Sequence, residues 1–261
     1  MTSLRILFIG GLTSYRALFN WLTPWVLIPT FILSPIVHIL LFAYIGRTAG
    51  VGDDRYFLIG NAVLNAAIPC LFAMGNTIGG ERNQGTLPLL ISSPAKRVPL
   101  FLGRALPVIV NGFVVAVVAL GVGAVLLGVS LPTATWPALA IAVAVCSFSC
   151  TGLGLLGAAV ALRVRETAVM SNVIFGILMI FAGVNVPLLA LPGWMGAVAN
   201  WLPLTHGIEA ARQLAAGSGF AAIRADLFTE IALGVGYAGL GLLLLAWLER
   251  ESRRKSTLDT A

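Results

Sequence analysis

The sequence predicts an all-α integral membrane protein, on the basis of its composition and the length of its apolar stretches. Of the 261 residues, 59% are hydrophobic and 10% are charged, whereas soluble domains carry about 25% charged residues. The mean hydropathy is +0.97. A helix needs roughly 20 apolar residues to cross a bilayer, and six stretches exceed that length: residues 22–45, 56–78, 100–128, 136–162, 168–191 and 227–248. We therefore expect one transmembrane domain with six spans across residues 22–248.

The chain ends on either side of these spans predict different structures. Residues 1–21 repeat apolar side chains at helical spacing, beginning with Leu4, Leu7 and Phe8, while arginines and other polar residues lie between them. This segment is too polar to span the membrane and fits an amphipathic helix in the interface. Residues 249–261 form a charged tail, which we expect to be partly disordered.

The distribution of basic residues predicts the orientation. Of the 16 lysines and arginines, four would lie outside if both termini were cytoplasmic, and the other 12 would lie inside. The four outer residues are Arg47, Arg55, Arg212 and Arg224. Cytoplasmic loops carry an excess of basic residues, so we expect both termini in the cytoplasm. Because the basic residues are scattered at the ends of spans, no nucleic-acid-binding surface is expected.

Several local features of the spans carry further predictions. Prolines at the start of the first span (Pro24, Pro29 and Pro35), and Pro107 in the third, predict kinks or irregular helix starts. The three cysteines all fall in apolar stretches and should be small buried residues rather than a metal site: Cys70, Cys146 and Cys150.

The spans offer uncharged polar side chains rather than catalytic groups. The sequence has two histidines and no serine in a nucleophile-elbow motif, and we expect no carboxylate in the interior of any span. Ion-coupled transport and membrane-embedded catalysis are therefore disfavoured. Four asparagines remain, and each either holds helices together or lines a path: Asn61, Asn65, Asn172 and Asn185.

Two polar segments separate the spans. Residues 192–226 are too interrupted to span and predict two short helices broken at Pro203, dipping into the outer leaflet. There, His206, Glu209 and Arg212 lie three apart and form one polar stripe on a helix, so Glu209 is expected to pair with Arg212 or His206. Residues 79–99 place Gly80 and Gly85 at the spacing of a phosphate-binding loop. They lack its lysine, so the chain should not bind ATP by itself.

The same two segments carry a resemblance to a known family. The first matches the cytoplasmic coupling segment of type-two ABC exporter permeases through Glu81-Arg82-x-x-Gly85-Thr86-Leu87, Leu89-Leu90, Ser93-Pro94 and Arg97. The second resembles that family's outer segment before the last span through Leu191-Pro192-x-Trp194 and Asn200-x-Leu202-Pro203-Leu204-Thr205-His206-x-x-Glu209-x-x-Arg212. The chain departs from the pattern at Pro88, where the family often has an acidic or polar residue, and a proline there can shorten the coupling helix.

The resemblance implies a permease subunit of an exporter in a bacterial cell membrane. It implies a second permease, identical or homologous, and two ATPase subunits that hold ATP and Mg. It assigns ATPase coupling to Glu81, Arg82, Asn83, Gly85, Thr86 and Leu89. Spans two and five commonly flank the path in this family, so the path candidates are Asn61, Asn65, Phe72, Asn172 and Asn185. The outer gate would comprise Pro203, His206, Glu209 and Arg212.

The substrate class that fits these expectations is an amphipathic or hydrophobic molecule, such as a drug, a lipid or a lipid-linked glycan. A path without acids or bases cannot select strongly for charge and should offer apolar walls with a few hydrogen-bonding groups. The alternative is a channel or secondary transporter without a motor, and an integral-membrane enzyme is a third class. Copurification with an ATPase separates the first from the second.

Overall fold

The computed structural model describes residues 25, 28–50, 53–83, 85, 97–161 and 167–255, and every regular element in these ranges is helical. The predicted all-α fold is therefore confirmed for this part of the chain, whereas the predicted interfacial helix of residues 1–21 lies outside it. The α-helices are α1 (Ser34–Ala49), α2 (Asp54–Asn65), α3 (Ala67–Asn83), α4 (Arg97–Leu127), α5 (Trp136–Ala161), α6 (Thr167–Phe181), α7 (Gly193–Ala199), α8 (Thr205–Ala215) and α9 (Arg224–Lys255).

Five helical stretches are long and apolar enough to cross a membrane, and they agree within a few residues with five of the predicted spans, except at the start of the first. They are Pro29–Ala49, Asp54–Asn76, Pro99–Leu127, Thr133–Val160 and Arg224–Leu248. The last of these continues as a helix to Lys255. The first seven residues of the predicted tail, 249–255, are therefore helical, and its remainder lies outside the described residues.

The predicted fifth span is the exception, because its helix α6 ends at Phe181 instead of continuing to residue 191. Gly183 adopts a left-handed conformation, with φ of 70°, and this conformation ends the helix. Pro187, a few residues later, cannot donate a backbone hydrogen bond. The chain continues through bends and a short 3₁₀ turn at Leu188–Ala190. The sequence therefore stays hydrophobic beyond Phe181, where the helix ends.

Prolines also explain two local irregularities. The first span begins with a π-helical turn at Pro29–Leu33, which confirms the predicted irregular start. The second span is interrupted at Ala66, between α2 and α3. Pro69 lacks the N–H that would bond the carbonyl of Asn65 in a continuous helix, which accounts for a break at this place.

The helices pack closely around α5, which contacts α3, α4, α6, α8 and α9. Small residues allow this approach, as is common between membrane helices. A Cβ atom at Gly152 of α5 would overlap the carbonyl oxygen of Gly234 in α9, and one at Gly154 would overlap that of Cys70 in α3. The cysteines Cys70, Cys146 and Cys150 are fully buried free thiols, as predicted.

Candidate functional site

The short helices α7 and α8 precede the last span, and they form the pair that the sequence predicts around Pro203. Turns connect them, and Leu204 at the end of these turns has φ of 76°, a conformation that non-glycine residues rarely adopt. Helix α8 packs against α5 and α9, and to a smaller extent against α2. Besides its buried apolar side chains, two clusters of polar groups connect α8 to its neighbours, one around Glu230 and one around Arg212.

The first cluster holds the N-terminus of α8 against α9 and α5. Glu230 of α9 is completely buried. Its carboxylate accepts hydrogen bonds from the backbone N–H groups of Leu204 (2.7 Å) and Gly207 (3.2 Å), and from the hydroxyl of Ser149 in α5. A carboxylate is favourable at a helix N-terminus, where backbone N–H groups lack partners within the helix. Glu230 thereby also holds Leu204 in its unusual conformation.

Glu230 corrects the expectation that the spans contain no interior carboxylate. It is the fourth residue of the predicted span 227–248, and it lies inside the observed stretch Arg224–Leu248. The expectation was wrong because apolar residues surround this position in sequence. A lone acid inside an apolar stretch is itself a signal, since such residues are rarely tolerated without a specific partner. Its partners come from Ser149, Leu204 and Gly207, which the sequence alone does not place beside it.

The second cluster is built around Arg212 near the other end of α8. The guanidinium donates hydrogen bonds to the backbone carbonyls of Gly183 and Val184, both at 2.8 Å, and to that of Tyr56 at 3.3 Å. Its Cζ lies 3.4 Å from the centre of the Tyr56 ring, a close cation–π contact. Arg212 thus supplies donors to carbonyls that lie just beyond the end of α6, where the helix no longer pairs them.

Neighbouring residues complete this second cluster. The Tyr56 hydroxyl donates to the carbonyl of Gly183 (2.9 Å), and Arg55 donates to the carbonyl of Ala215 at the end of α8 (3.1 Å). Gly60 leaves room for the guanidinium, because a Cβ there would lie 2.7 Å from Arg212 Nη2. Burial lowers the pKa of Arg212 from its ordinary value, but an arginine stays charged in proteins.

The predicted pairing of Glu209 with Arg212 or His206 is wrong. Glu209 is exposed and accepts a hydrogen bond from Gln213 (3.4 Å), while Arg212 points to the carbonyls beyond α6. His206 contacts the carbonyl of Asn200 through Nε2 (3.1 Å). The three-residue spacing placed these side chains on one stripe, but the long arginine side chain reaches acceptors from two other parts of the chain.

The structure brings only some of the predicted path residues together. Asn61 is fully buried and donates to the Asn185 side chain (2.9 Å), which joins α2 to the segment beyond α6. Asn65 is also fully buried and donates to the carbonyl of Asn61 in its own chain segment (2.7 Å). Phe72 is partly buried against the core, and Asn172 is exposed on α6, where it bonds the carbonyl of Ala168. Their role in a path stays a prediction.

The predicted coupling residues lie where the second span ends. Glu81, Arg82 and Asn83 form the last residues of α3, and Gly85 follows in an exposed left-handed turn with φ of 67°. The predicted residues Thr86 and Leu89 lie outside the described residues. Within the described ranges, no group of His, Cys, Asp and Glu side chains could hold a metal ion.

The helices described above define the class of protein. The described residues form a helical protein with five stretches long and apolar enough to cross a membrane and two short helices before the last of them, as expected of a multi-pass membrane protein. Comparison with protein-family models gives the family: residues 12–215 match the model of the ABC-2 type transporter, so the chain belongs to the ABC-2 type transporter family. No curated protein matches the chain significantly. Proteins of this family are the membrane subunits of ABC transporters, and the ATPase is a separate subunit.

Proposed function

We infer that this chain is the permease of an ATP-driven exporter of amphipathic or hydrophobic molecules. It would pair with a second permease, identical or homologous, and with two ATPase subunits that bind ATP and Mg. The predicted fifth span would be formed by α6 together with the apolar segment after it, which would bring the number of spans to six. Helices α7 and α8 would dip into the outer leaflet and cover the exit.

The observation that supports this substrate class is that two charged side chains beside α8, Glu230 and Arg212, are held by hydrogen bonds to protein groups. Both oxygens of Glu230 accept hydrogen bonds from protein donors, and Arg212 donates to three backbone carbonyls. Neither group is therefore free to bind a charged substrate. A path near these helices would offer apolar surface and a few amides, which suits an amphipathic or apolar molecule.

Glu230 also bears on the alternative of a secondary transporter, which commonly uses buried acids to carry ions or protons. An acid used in that way must gain and lose its proton or ion during the cycle. Glu230 instead caps a helix by accepting hydrogen bonds from two backbone N–H groups, which is a structural role. Membership of a family whose members work with separate ATPases points in the same direction.

The coupling residues supply the first prediction. An ATPase should copurify with this chain, and substrate transport should stop when ATP hydrolysis stops. Glu81→Ala and Arg82→Ala should insert normally but lose the stimulation of ATPase activity by substrate, because charge-assisted hydrogen bonds to the ATPase are lost. The measurement is ATPase activity of the reconstituted complex with and without substrate.

A matched control is Arg224→Ala, which removes an exposed arginine at the opposite end of a span. It should leave the stimulation unchanged. If substrate still stimulates the ATPase activity fully in both variants, Glu81 and Arg82 have no coupling role and are solvated residues at a helix end. Transport without any ATPase partner would favour the channel or secondary transporter instead.

The second prediction concerns orientation. With both termini cytoplasmic, Ser93→Cys should resist an impermeant thiol reagent in intact cells, whereas Ser218→Cys should react, because Ser218 is exposed in the proposed outer segment. The three native cysteines are fully buried and should give little background. Permeabilised cells serve as the control, where both introduced cysteines should react. The reverse pattern in intact cells would contradict the proposed orientation and the coupling role together.

A further inference from the structure

Helix α8 is attached to two different groups of helices. On one side, the Glu230 cluster joins it to α9 and α5, and the Tyr237 hydroxyl of α9 bonds the carbonyl of Trp201 just before it (2.7 Å). On the other side, Arg212 and Arg55 join it to α2 and to the chain beyond α6. We use the name seam for this second set of contacts, made through Arg212 and Arg55.

The attachment to α5 and α9 is difficult to separate. Withdrawal of α8 would leave the fully buried carboxylate of Glu230 without two of its three donors. An uncompensated charge in an apolar environment is strongly unfavourable. The packing is also close, because a Cβ at Gly207 would overlap the Sγ of Cys146 in α5. The one buried side-chain atom without a partner on this side of α8, within the described residues, is the neutral hydroxyl oxygen of Thr205.

The seam is easier to separate. Its acceptors are neutral backbone carbonyls, and the Arg212 side chain is only partly buried. The Nε atoms of Arg212 and Arg55 are buried without a hydrogen-bond partner, so opening the seam would give both of them access to water. A charged donor that gains water recovers part of what it loses by leaving a carbonyl.

We propose that α8 moves as one body with α5 and α9, and that the protein opens at the seam, with Arg212 as the residue that holds it closed. This proposal rests on the proposed function, in which α7 and α8 cover the exit. Arg212 is then a positioning residue, which acts on the position of α8 and not on the substrate. The outer gate predicted from the sequence keeps its place in this proposal. The contact that closes it is made by Arg212 and not by Glu209.

Two cysteine substitutions in α8 report the two sides separately. Ile208 lies one helical turn before Arg212 and on its side of the helix, whereas Leu214 lies two turns after Gly207 and on the side that packs against α5. Both side chains are buried, with 0% and 3% of their surface exposed. Ile208→Cys and Leu214→Cys remove similar volumes, so the pair is matched, and both should resist a water-soluble maleimide in the resting protein.

The first arm uses the complete complex in lipid nanodiscs, held with a non-hydrolysable ATP analogue. We expect the labelling rate of Ile208→Cys to rise by about tenfold or more, while Leu214→Cys stays protected, because each hydrogen bond to a charged group is equivalent to roughly a tenfold change in an equilibrium. A faster labelling at both positions, or at Leu214→Cys alone, would overturn the proposal. An unchanged labelling rate at both positions in a complex that transports would also overturn it.

The second arm needs neither nucleotide nor substrate. Arg212→Met, introduced into each reporter, should raise labelling of Ile208→Cys in the resting protein and leave Leu214→Cys protected. Glu209→Gln is the control, because its exposed carboxylate accepts a hydrogen bond from Gln213 and makes none of the hydrogen bonds of the seam, so the change should alter neither rate. Equal labelling of both reporters, or no increase at Ile208→Cys, would overturn the proposal. Failure of the proposed function would appear separately, as the absence of ATP-dependent transport in the unsubstituted complex.

Discussion

Replacing Glu230 with leucine should destabilise the protein by about 3 kcal/mol or more. The substitution leaves two backbone N–H groups without their acceptor in a buried environment, and each such group costs roughly 1–3 kcal/mol. The Ser149 hydroxyl can still donate to the carbonyl of Cys146 (3.0 Å). Leu204 would also lose the bond that holds its left-handed conformation. The measurement is the thermal unfolding of the purified chain in lipid nanodiscs, followed by intrinsic tryptophan fluorescence.

Two variants accompany this experiment. Glu209→Leu makes the same chemical change on an exposed position nearby and should alter the stability by less than about 0.5 kcal/mol. Glu230→Gln should fall between the two, because its amide oxygen can accept from Leu204 and Ser149 while its NH₂ group faces the Gly207 donor. Equal stability of Glu230→Leu and Glu209→Leu would show that the buried cluster contributes little.

Substituting alanine for Gly234 is the second change with a large expected effect. A Cβ there would lie 2.7 Å from the Cα of Ser149 and 2.9 Å from the ring of Phe148, both in α5. A backbone atom cannot rotate away, so α9 and α5 must separate. Overpacking of this kind costs typically about 1–3 kcal/mol. We expect a lower unfolding temperature and a faster labelling of Leu214→Cys, because the body formed by α5, α8 and α9 is loosened.

The same helix offers controls. Gly236 and Gly239 lie in α9 with no atom within 4 Å of a built Cβ. Gly236→Ala and Gly239→Ala should leave stability unchanged or raise it by up to about 1 kcal/mol, since alanine favours the helix more than glycine does. If Gly234→Ala behaves as these two variants do, the helices can adjust and the close contact is not a constraint.

The sequence predicted the elements that depend on local composition. Long apolar stretches identified five spans, and prolines identified the irregular start at Pro29 and the interruption between α7 and α8. These features follow from the length of a helix that crosses a bilayer and from the missing proline N–H, both of which can be read without knowledge of the fold.

The sequence failed where distant residues decide the structure. The end of α6 was missed because apolar residues continue past Gly183, and because the groups that pair the Gly183 carbonyl, Arg212 and Tyr56, lie 29 residues later and 127 residues earlier. The pairing of Glu209 was wrong for the same reason, since helical spacing cannot reveal that Arg212 has acceptors outside its own helix. Glu230 was overlooked because hydropathy averages one acid over many apolar neighbours.

The early end of α6 has a consequence for the lipid around the protein. The described part of α6 has 15 residues and is about 22 Å long at 1.5 Å per residue, whereas the hydrocarbon region is about 30 Å thick. Lipids beside α6 therefore meet a hydrophobic mismatch, which is relieved by local thinning of the bilayer or by the non-helical segment that follows. The membrane should be thinnest next to the seam, so an amphipathic molecule would have the shortest distance to cross there.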